Sequence, residues 1–126
     1  YVPIIAHPER NRRIAAEPDV LHELVEAGAL GQVTSLSLVG RFGPKVKKTA
    51  TNLCRRNLIH FVASDAHNCE GRPFLLQEAY QWVRGELGDS YEQLYRRNAE
   101  AVAAGGAAER PNPSKGHRAW WKLWVR

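Results

Sequence analysis

Three short runs of apolar residues alternate along the chain with longer segments in which apolar residues recur at helical spacing. The runs are residues 2–6, 32–39 and 58–64. Their length and their content of branched and aromatic residues are typical of buried strands. The segments predicted to be helical are about 17–27, 44–57, 73–86 and 91–103. Strands that alternate with helices of this length indicate an α/β fold around a parallel sheet.

Three β–α units and one extra helix are too few for a closed barrel. A (β/α) barrel takes roughly 250 residues, whereas this chain has 126. The chain also begins at Tyr1, directly before the first apolar run, and contains no methionine. These features predict that the sequence is part of a longer protein.

The charged residues are unevenly distributed, and this decides what the net charge means. The chain has 18 lysines and arginines against 13 acidic residues, a formal charge of +5. Arg110 and every charged residue after it are basic, so the excess belongs to a tail and does not predict a nucleic-acid-binding domain.

The two cysteines, Cys54 and Cys69, have neither metal nor redox spacing. A cytoplasmic location is therefore expected.

The end of the chain differs in composition from the rest. Pro111 and Pro113 indicate a linker, so we predict a domain over 1–106 and a linker with a tail over 107–126. Within 116–126, basic residues recur every four positions and three tryptophans lie away from them; these residues are Arg118, Lys122, Arg126, Trp120, Trp121 and Trp124. This pattern is typical of a helix at a membrane surface. A tail that docks its tryptophans on the domain explains the pattern equally well.

Polar side chains follow the first and third apolar runs. His7 and Arg10 come after the first run, and Asp65 and His67 come after the third, with Arg72 a few residues later. In parallel α/β folds, the residues at the carboxyl ends of strands face the functional cleft. We therefore expect these side chains to line one cleft at the carboxyl ends of the strands.

The residue types in this predicted cleft indicate phosphoester hydrolysis. Asp65 and His67 are two positions apart and project to the same side of an extended segment. Carboxylate and imidazole suit Mn²⁺, Fe²⁺ or Zn²⁺, and such a metal activates water near neutral pH. Arginine binds phosphate oxygens through two parallel hydrogen bonds. Simpler, non-catalytic roles stay open for two of these residues. Asp65 would serve equally well as a helix cap, and His7 as a histidine that is hydrogen-bonded within a turn.

Other nucleophiles fit the sequence less well. A cysteine-dependent phosphatase needs an arginine six positions after the cysteine, and those positions hold His60 and Leu75. Ser64 lacks the Gly-x-Ser-x-Gly motif of serine hydrolases. His22 and His60 are predicted to be packing or surface residues.

Three segments resemble the bacterial capsule-type tyrosine-protein phosphatases of the polymerase and histidinol phosphatase superfamily. They are Ile-Ala-His-Pro-Glu-Arg-Asn at 5–11, the segment 35–43 that ends in Gly-Arg-Phe-Gly, and Ala-Ser-Asp-Ala-His-Asn at 63–68, with Arg72 after it. The resemblance covers about residues 1–105. It implies that the chain is the C-terminal portion of a distorted (β/α) barrel.

The resemblance also implies a role for each matching residue. His7, Asp65 and His67 would be ligands in a cluster of up to three divalent metals, usually Mn²⁺. Arg10 and Arg72 would be the catalytic residues that bind the phosphate. Glu9 lies inside the matching motif but is assigned no ligand role, and our own expectation is that it orients Arg10 through a salt bridge.

The substrate implied by the resemblance is phosphotyrosine on a membrane-associated tyrosine autokinase of capsule or exopolysaccharide synthesis. A peripheral position at the membrane would fit such a partner. The family's amino-terminal half, with its His-x-His pair, has no match here, so we expect the chain to be inactive alone. The alternatives are another hydrolase of the same superfamily, such as a histidinol phosphatase, and a non-catalytic α/β module that binds a partner or a membrane through its tail. Whether the chain forms homo-oligomers stays open.

Overall fold

A three-stranded parallel sheet organises the chain in the computed structural model. The structure describes residues 1–64 and 72–114, apart from the side chains of 72–74. The strands are β1 (Ile4–Ala6), β2 (Leu30–Thr34) and β3 (Phe61–Ala63), in the order β1-β2-β3. Their register pairs Ala6 with Gln32, and Thr34 with Ala63. The predicted α/β class is confirmed.

Six helices in the described residues connect or follow the strands. They are α1 (Arg12–Ala16), α2 (Asp19–Glu26), α3 (Ser35–Leu38), α4 (Pro44–Arg55), α5 (Arg72–Glu86) and α6 (Asp89–Ala103). The longer helices bury their apolar stripes against the sheet; in α4 these are Ala50, Leu53 and Cys54. Burial of such stripes is the main source of helix stability in a domain of this size. None of the helices in the described ranges is long and apolar enough to span a membrane.

The predicted strand 32–39 is wrong in its second half. The strand ends at Thr34, and Ser35–Leu38 form α3. The alternating Ser-Leu-Ser-Leu pattern has the period of a strand, but both neighbouring strands end at this level, so residues 35–38 have no ladder to join. The backbone instead makes helical hydrogen bonds, for example from the Val39 N–H to the Ser35 carbonyl at 3.2 Å.

The expectation that the first apolar run is a buried strand is also wrong. β1 lies at the edge of the sheet as described, and Ile4 is 43% exposed. Tyr1 and Val2 are more exposed still, and only Ile5 packs against the core. An apolar run predicts that a strand forms, but burial requires a second layer on its outer side, and no described element covers that side of β1.

The first residues of β2 pass very close to the segment that leads into β3. A Cβ placed on Gly31 would lie 2.2 Å from the Leu58 carbonyl oxygen, so only glycine fits. The Gly31 N–H donates to Nδ1 of His60 at 3.0 Å, and the His60 N–H donates to the Gly31 carbonyl at 2.8 Å. This close approach sets the register of β2 against β3.

Residues 109–114 fold back against the amino ends of the strands, and we call them the strap. The buried Asn98 donates to the carbonyls of His60 and Glu109 and accepts from the Glu109 N–H. At the far end of the strap, Arg56 donates to the Ser114 carbonyl at 2.8 Å and forms an ion pair with Asp19 at 2.7 Å. The strap therefore lies at the amino ends of the strands, on the side of the sheet opposite to their carboxyl ends. The division at residues 106 and 107 stays a prediction.

Candidate functional site

His7 lies directly after β1, at the carboxyl edge of the sheet. Its N–H donates to the Gln32 carbonyl at 2.8 Å and so extends the pairing of β1 with β2 by one bond. The backbone then turns sharply, because His7 has φ 36° and ψ 56°, and Pro8–Arg10 form a single 3-10 turn. A left-handed conformation is uncommon for a residue with a Cβ, and such residues are enriched at functional sites. The imidazole is exposed at this edge.

Arg10 ends the same turn, so the structure brings two of the predicted site residues together. The Arg10 N–H donates to the His7 carbonyl at 3.1 Å. The Arg10 side chain is exposed, like that of His7, whereas Pro8 and Glu9 between them are buried. A candidate metal ligand and a candidate phosphate-binding residue thus flank one buried, rigid turn.

Glu9 fixes this turn to the next strand. Its carboxylate is only 1% exposed, and Oε2 accepts hydrogen bonds from the Thr34 N–H at 3.1 Å and from the Ser37 hydroxyl. The other oxygen, Oε1, has no hydrogen-bond partner among the described residues. The expected salt bridge between Glu9 and Arg10 is wrong, because the carboxylate points inward, to the junction of β2 and α3. Glu9 therefore positions the backbone of the turn.

The guanidinium group of Arg10 stacks on an aromatic ring that the sequence patterns did not single out for a role. Its central carbon lies 4.4 Å from the centroid of the Phe42 ring, in a cation–π contact. Phe42 belongs to the segment Gly-Arg-Phe-Gly, so the family resemblance marked the segment but not this contact. The two residues are 32 positions apart, which is why local patterns could not pair them.

The remaining predicted site residues lie partly or wholly outside the described structure. Asp65 and His67 fall outside the described residues, and so does the side chain of Arg72. Ser64 is described and follows β3, which ends level with β2 at the same edge as His7. Within the described ranges no group of three His, Cys, Asp or Glu side chains could hold a metal. The assignments of Asp65, His67 and Arg72 thus stay predictions.

Two other groups with reactive side chains are packing residues, as expected. Cys54 is buried in the core, and this burial raises the pKa of its thiol to about 12, so it carries no nucleophilic thiolate at neutral pH. His60 is fully buried near the amino end of β3. Burial, and to a smaller extent the charge of Arg110, lowers the pKa of His60 to about 4. His60 precedes β3 and so lies at the opposite end of that strand from the edge that carries His7.

The parallel sheet, with histidine and arginine on one fixed turn at its carboxyl edge, defines an α/β protein with a candidate phosphate site. Comparison with known proteins identifies the family. The family described as "Capsular polysaccharide synthesis, CpsB/CapC" matches residues 1–104. The chain belongs to the CpsB/CapC family.

Individual relatives agree with this assignment. The tyrosine-protein phosphatase YwqE of Bacillus subtilis is 49% identical over 102 residues, which cover 81% of this chain and 40% of that protein. The putative tyrosine-protein phosphatase CapC of Staphylococcus aureus is 39% identical over 120 residues, covering 94% of this chain and 46% of that protein. The chain therefore spans less than half the length of these relatives.

The fold is similar to a solved structure as well. Crystal structures described as "YwqE from Bacillus subtilis and CpsB from Streptococcus pneumoniae, unique metal-dependent tyrosine phosphatases" include a chain that matches with a TM-score of 0.85 and 46% identity. The match covers 90% of this chain and 46% of that chain. The arrangement of strands and helices described above is thus shared with a metal-dependent phosphatase.

Proposed function

We propose that this chain forms part of a metal-dependent protein-tyrosine phosphatase that acts in capsule or exopolysaccharide synthesis. The observation that carries the proposal is the turn after β1, which holds His7 and Arg10 at the carboxyl edge of the sheet through the buried Glu9. The names of the relatives, which are tyrosine-protein phosphatases, support the same activity. The proposed substrate is phosphotyrosine on a membrane-associated tyrosine kinase.

The chemistry of the side chains fits a divalent metal, and Mn²⁺ is our proposal for its identity. His7 offers an exposed imidazole at the edge where the segment with Asp65 and His67 leaves β3. These three residues would hold the metal. When bound, such a metal lowers the pKa of water and supplies a nucleophile near neutral pH. A cluster of up to three metals needs more ligands than these, so we propose that they come from the part of the relatives that this chain does not match.

Arg10 has the task of binding and orienting the phosphate. Its side chain is exposed at this edge, and the salt bridges among the described residues do not include it. Two parallel N–H bonds to phosphate oxygens fix the direction of the ester bond. The positive charge of the guanidinium group stabilises the negative charge that develops on these oxygens in the transition state. Arg72 is proposed to share this role.

The test uses the protein expressed from its complete coding sequence. We expect hydrolysis of a phosphotyrosine peptide that stops in a metal chelator and returns with Mn²⁺. Arg10→Ala should lower kcat/KM by about 100-fold or more, by analogy with the loss of one transition-state donor. Arg13→Ala, which removes an exposed arginine three positions later, is the matched control and should leave kcat/KM unchanged.

The same assay separates the alternatives. Faster turnover of histidinol phosphate than of the phosphotyrosine peptide would indicate a histidinol phosphatase-like enzyme. Equal activities of Arg10→Ala and Arg13→Ala, or full activity in the chelator, would contradict the proposed mechanism. Complete inactivity with no retained divalent metal would favour a non-catalytic module.

The proposed cellular setting is the cytoplasmic side of the membrane. The residues on which this proposal rests, 116–126, lie outside the described structure. A basic face opposite tryptophans is suited to an anionic lipid surface. Binding of a peptide with the sequence of 116–126 to vesicles with anionic lipid, and its absence with neutral lipid, tests the proposal.

A further inference from the structure

Phe42 is held at the surface by a turn that the backbone defines. Gly40 and Gly43 both have positive φ, 87° and 94°, and the Gly43 N–H donates to the Gly40 carbonyl at 3.1 Å. The Arg41 N–H donates to the Leu36 carbonyl at 2.9 Å and ties the turn to α3. Pro44 begins α4 directly afterwards. The position of the backbone at Phe42 therefore follows from this turn.

The ring is placed where it contacts Arg10 and solvent together. It lies 4.4 Å from the guanidinium carbon, yet 38% of the residue stays exposed. The rest of its surface is covered, but Phe42 is not part of the hydrophobic core cluster among the described residues, so its contact with a cationic side chain indicates a role beyond core packing. A contact over the ring face limits the movement of the guanidinium group. Arg10 is thus held from two sides, since Glu9 fixes its backbone.

We propose that Phe42 positions Arg10 for the phosphate and gives the site its preference for aryl phosphates. The inference rests on the proposed function, because it assumes that Arg10 binds the phosphate of the substrate. In an aryl phosphate, a single ester oxygen separates the phosphorus from the ring. A phosphate on Arg10 therefore brings the substrate ring close to Phe42, and aromatic pairs attract each other at centroid distances of roughly 4.5–7 Å. An alkyl phosphate gains no such contact.

The test compares two inhibitors that differ in aromatic character. Phenylphosphonate and cyclohexylphosphonate carry the same anionic group on rings of similar size, and neither can be hydrolysed at the P–C bond. In the protein from the complete coding sequence, we expect phenylphosphonate to bind about 2- to 10-fold more tightly, from the strength of an aromatic pair. In Phe42→Leu, this ratio should fall close to one, whereas Phe42→Tyr should retain it.

The positioning role has its own readout. Inorganic phosphate lacks a ring, so its inhibition constant reports on Arg10 alone. We expect Phe42→Leu to weaken inhibition by phosphate about 2- to 5-fold, as loss of an exposed cation–π contact predicts. Leu24→Ala is the matched control, since Leu24 is an equally exposed apolar residue on α2, and it should change neither constant. Phe42→Met replaces Phe42→Leu if that variant does not fold.

The outcomes separate this inference from the proposed function. If Phe42→Leu keeps both the inhibitor ratio and the phosphate constant of the parent protein, the inference is wrong even when the phosphatase is active. If the parent protein shows no phosphatase activity, the proposed function fails. The role of Phe42 is then decided by calorimetric titration of the same two phosphonates into the parent protein and into Phe42→Leu.

Discussion

Acidification should destabilise the fold through His60, which lies far from the candidate site. The imidazole is 0% exposed, and its Nδ1 accepts the Gly31 N–H at 3.0 Å. An accepting Nδ1 carries no proton, so the ring is neutral and its proton lies on Nε2. Protonation of Nδ1 would break this bond and place a buried charge near Arg110. Burial first, and Arg110 second, hold the pKa of His60 at about 4.

The sign and size of the effect follow from the two pKa values. In the unfolded chain the imidazole has its ordinary pKa of about 6.5. Above that pH both states are neutral, and the contribution of His60 to stability is fully present. As the pH falls towards 4, the unfolded state gains a proton that the folded state does not, so stability is lost. The loss has an upper limit of about 3 kcal/mol, and it reaches about 2 kcal/mol at about pH 4.5, because the unfolded state has not yet gained its full advantage above the folded pKa.

Urea unfolding of the 126-residue chain, monitored by the circular dichroism signal of its helices, measures this loss of stability. Because carboxylates also lose favourable contacts in acid, the informative quantity is the difference between the parent chain and His60→Asn. The amide oxygen of asparagine can accept the Gly31 N–H in place of Nδ1 but cannot take up a proton in this range. His60→Asn should start less stable at about pH 7, because a cavity forms. The difference in the free energy of unfolding between the parent chain and His60→Asn should then shrink by about 2 kcal/mol between about pH 7 and about pH 4.5. Parallel curves would refute the reasoning.

Two further predictions concern the contacts that fix the strands and the turn. Gly31→Ala should lower the free energy of unfolding by about 2 kcal/mol or more, because its Cβ would lie 2.2 Å from the Leu58 carbonyl oxygen. The control is Gly85→Ala in α5, where a Cβ meets no atom within 4 Å and better helix propensity should stabilise the chain by up to about 1 kcal/mol; equal effects in urea unfolding would contradict the close approach. Glu9→Ala should lower the free energy of unfolding by about 2 to 3 kcal/mol, because the Thr34 N–H loses its acceptor in a buried place. Glu9→Gln keeps an acceptor oxygen and should cost less than half as much, and an equal cost would show that the hydrogen bond is not what matters.

The sequence was sufficient for features that depend on neighbouring positions. Apolar runs and helical spacing predicted the α/β order, and polar residues after the runs predicted that His7 and Arg10 share one edge. The apolar run 32–39 predicts a strand throughout, and only the ends of β1 and β3 show why no ladder continues at 35–38. Local reasoning also paired Glu9 with the adjacent Arg10. The actual partner of Glu9 is a backbone N–H 25 positions away, and no spacing rule connects the two.

The burial of Glu9 indicates that its carboxylate fixes the orientation of the turn Pro8–Arg10. A carboxylate with one oxygen unpartnered in the described structure costs stability, and an apolar side chain of similar size at such a position is often at least as stable. An apolar side chain, however, would let the turn rotate or slide on β2, since hydrophobic contacts have no preferred direction. Two directed hydrogen bonds to the β2–α3 junction prevent this. Both His7 and Arg10 depend on the orientation of that turn, so we infer that Glu9 maintains the distance between the proposed metal ligand and the proposed phosphate-binding residue. Glu9→Ala should accordingly weaken Mn²⁺ binding and phosphate binding together, whereas Arg10→Ala should weaken phosphate binding alone.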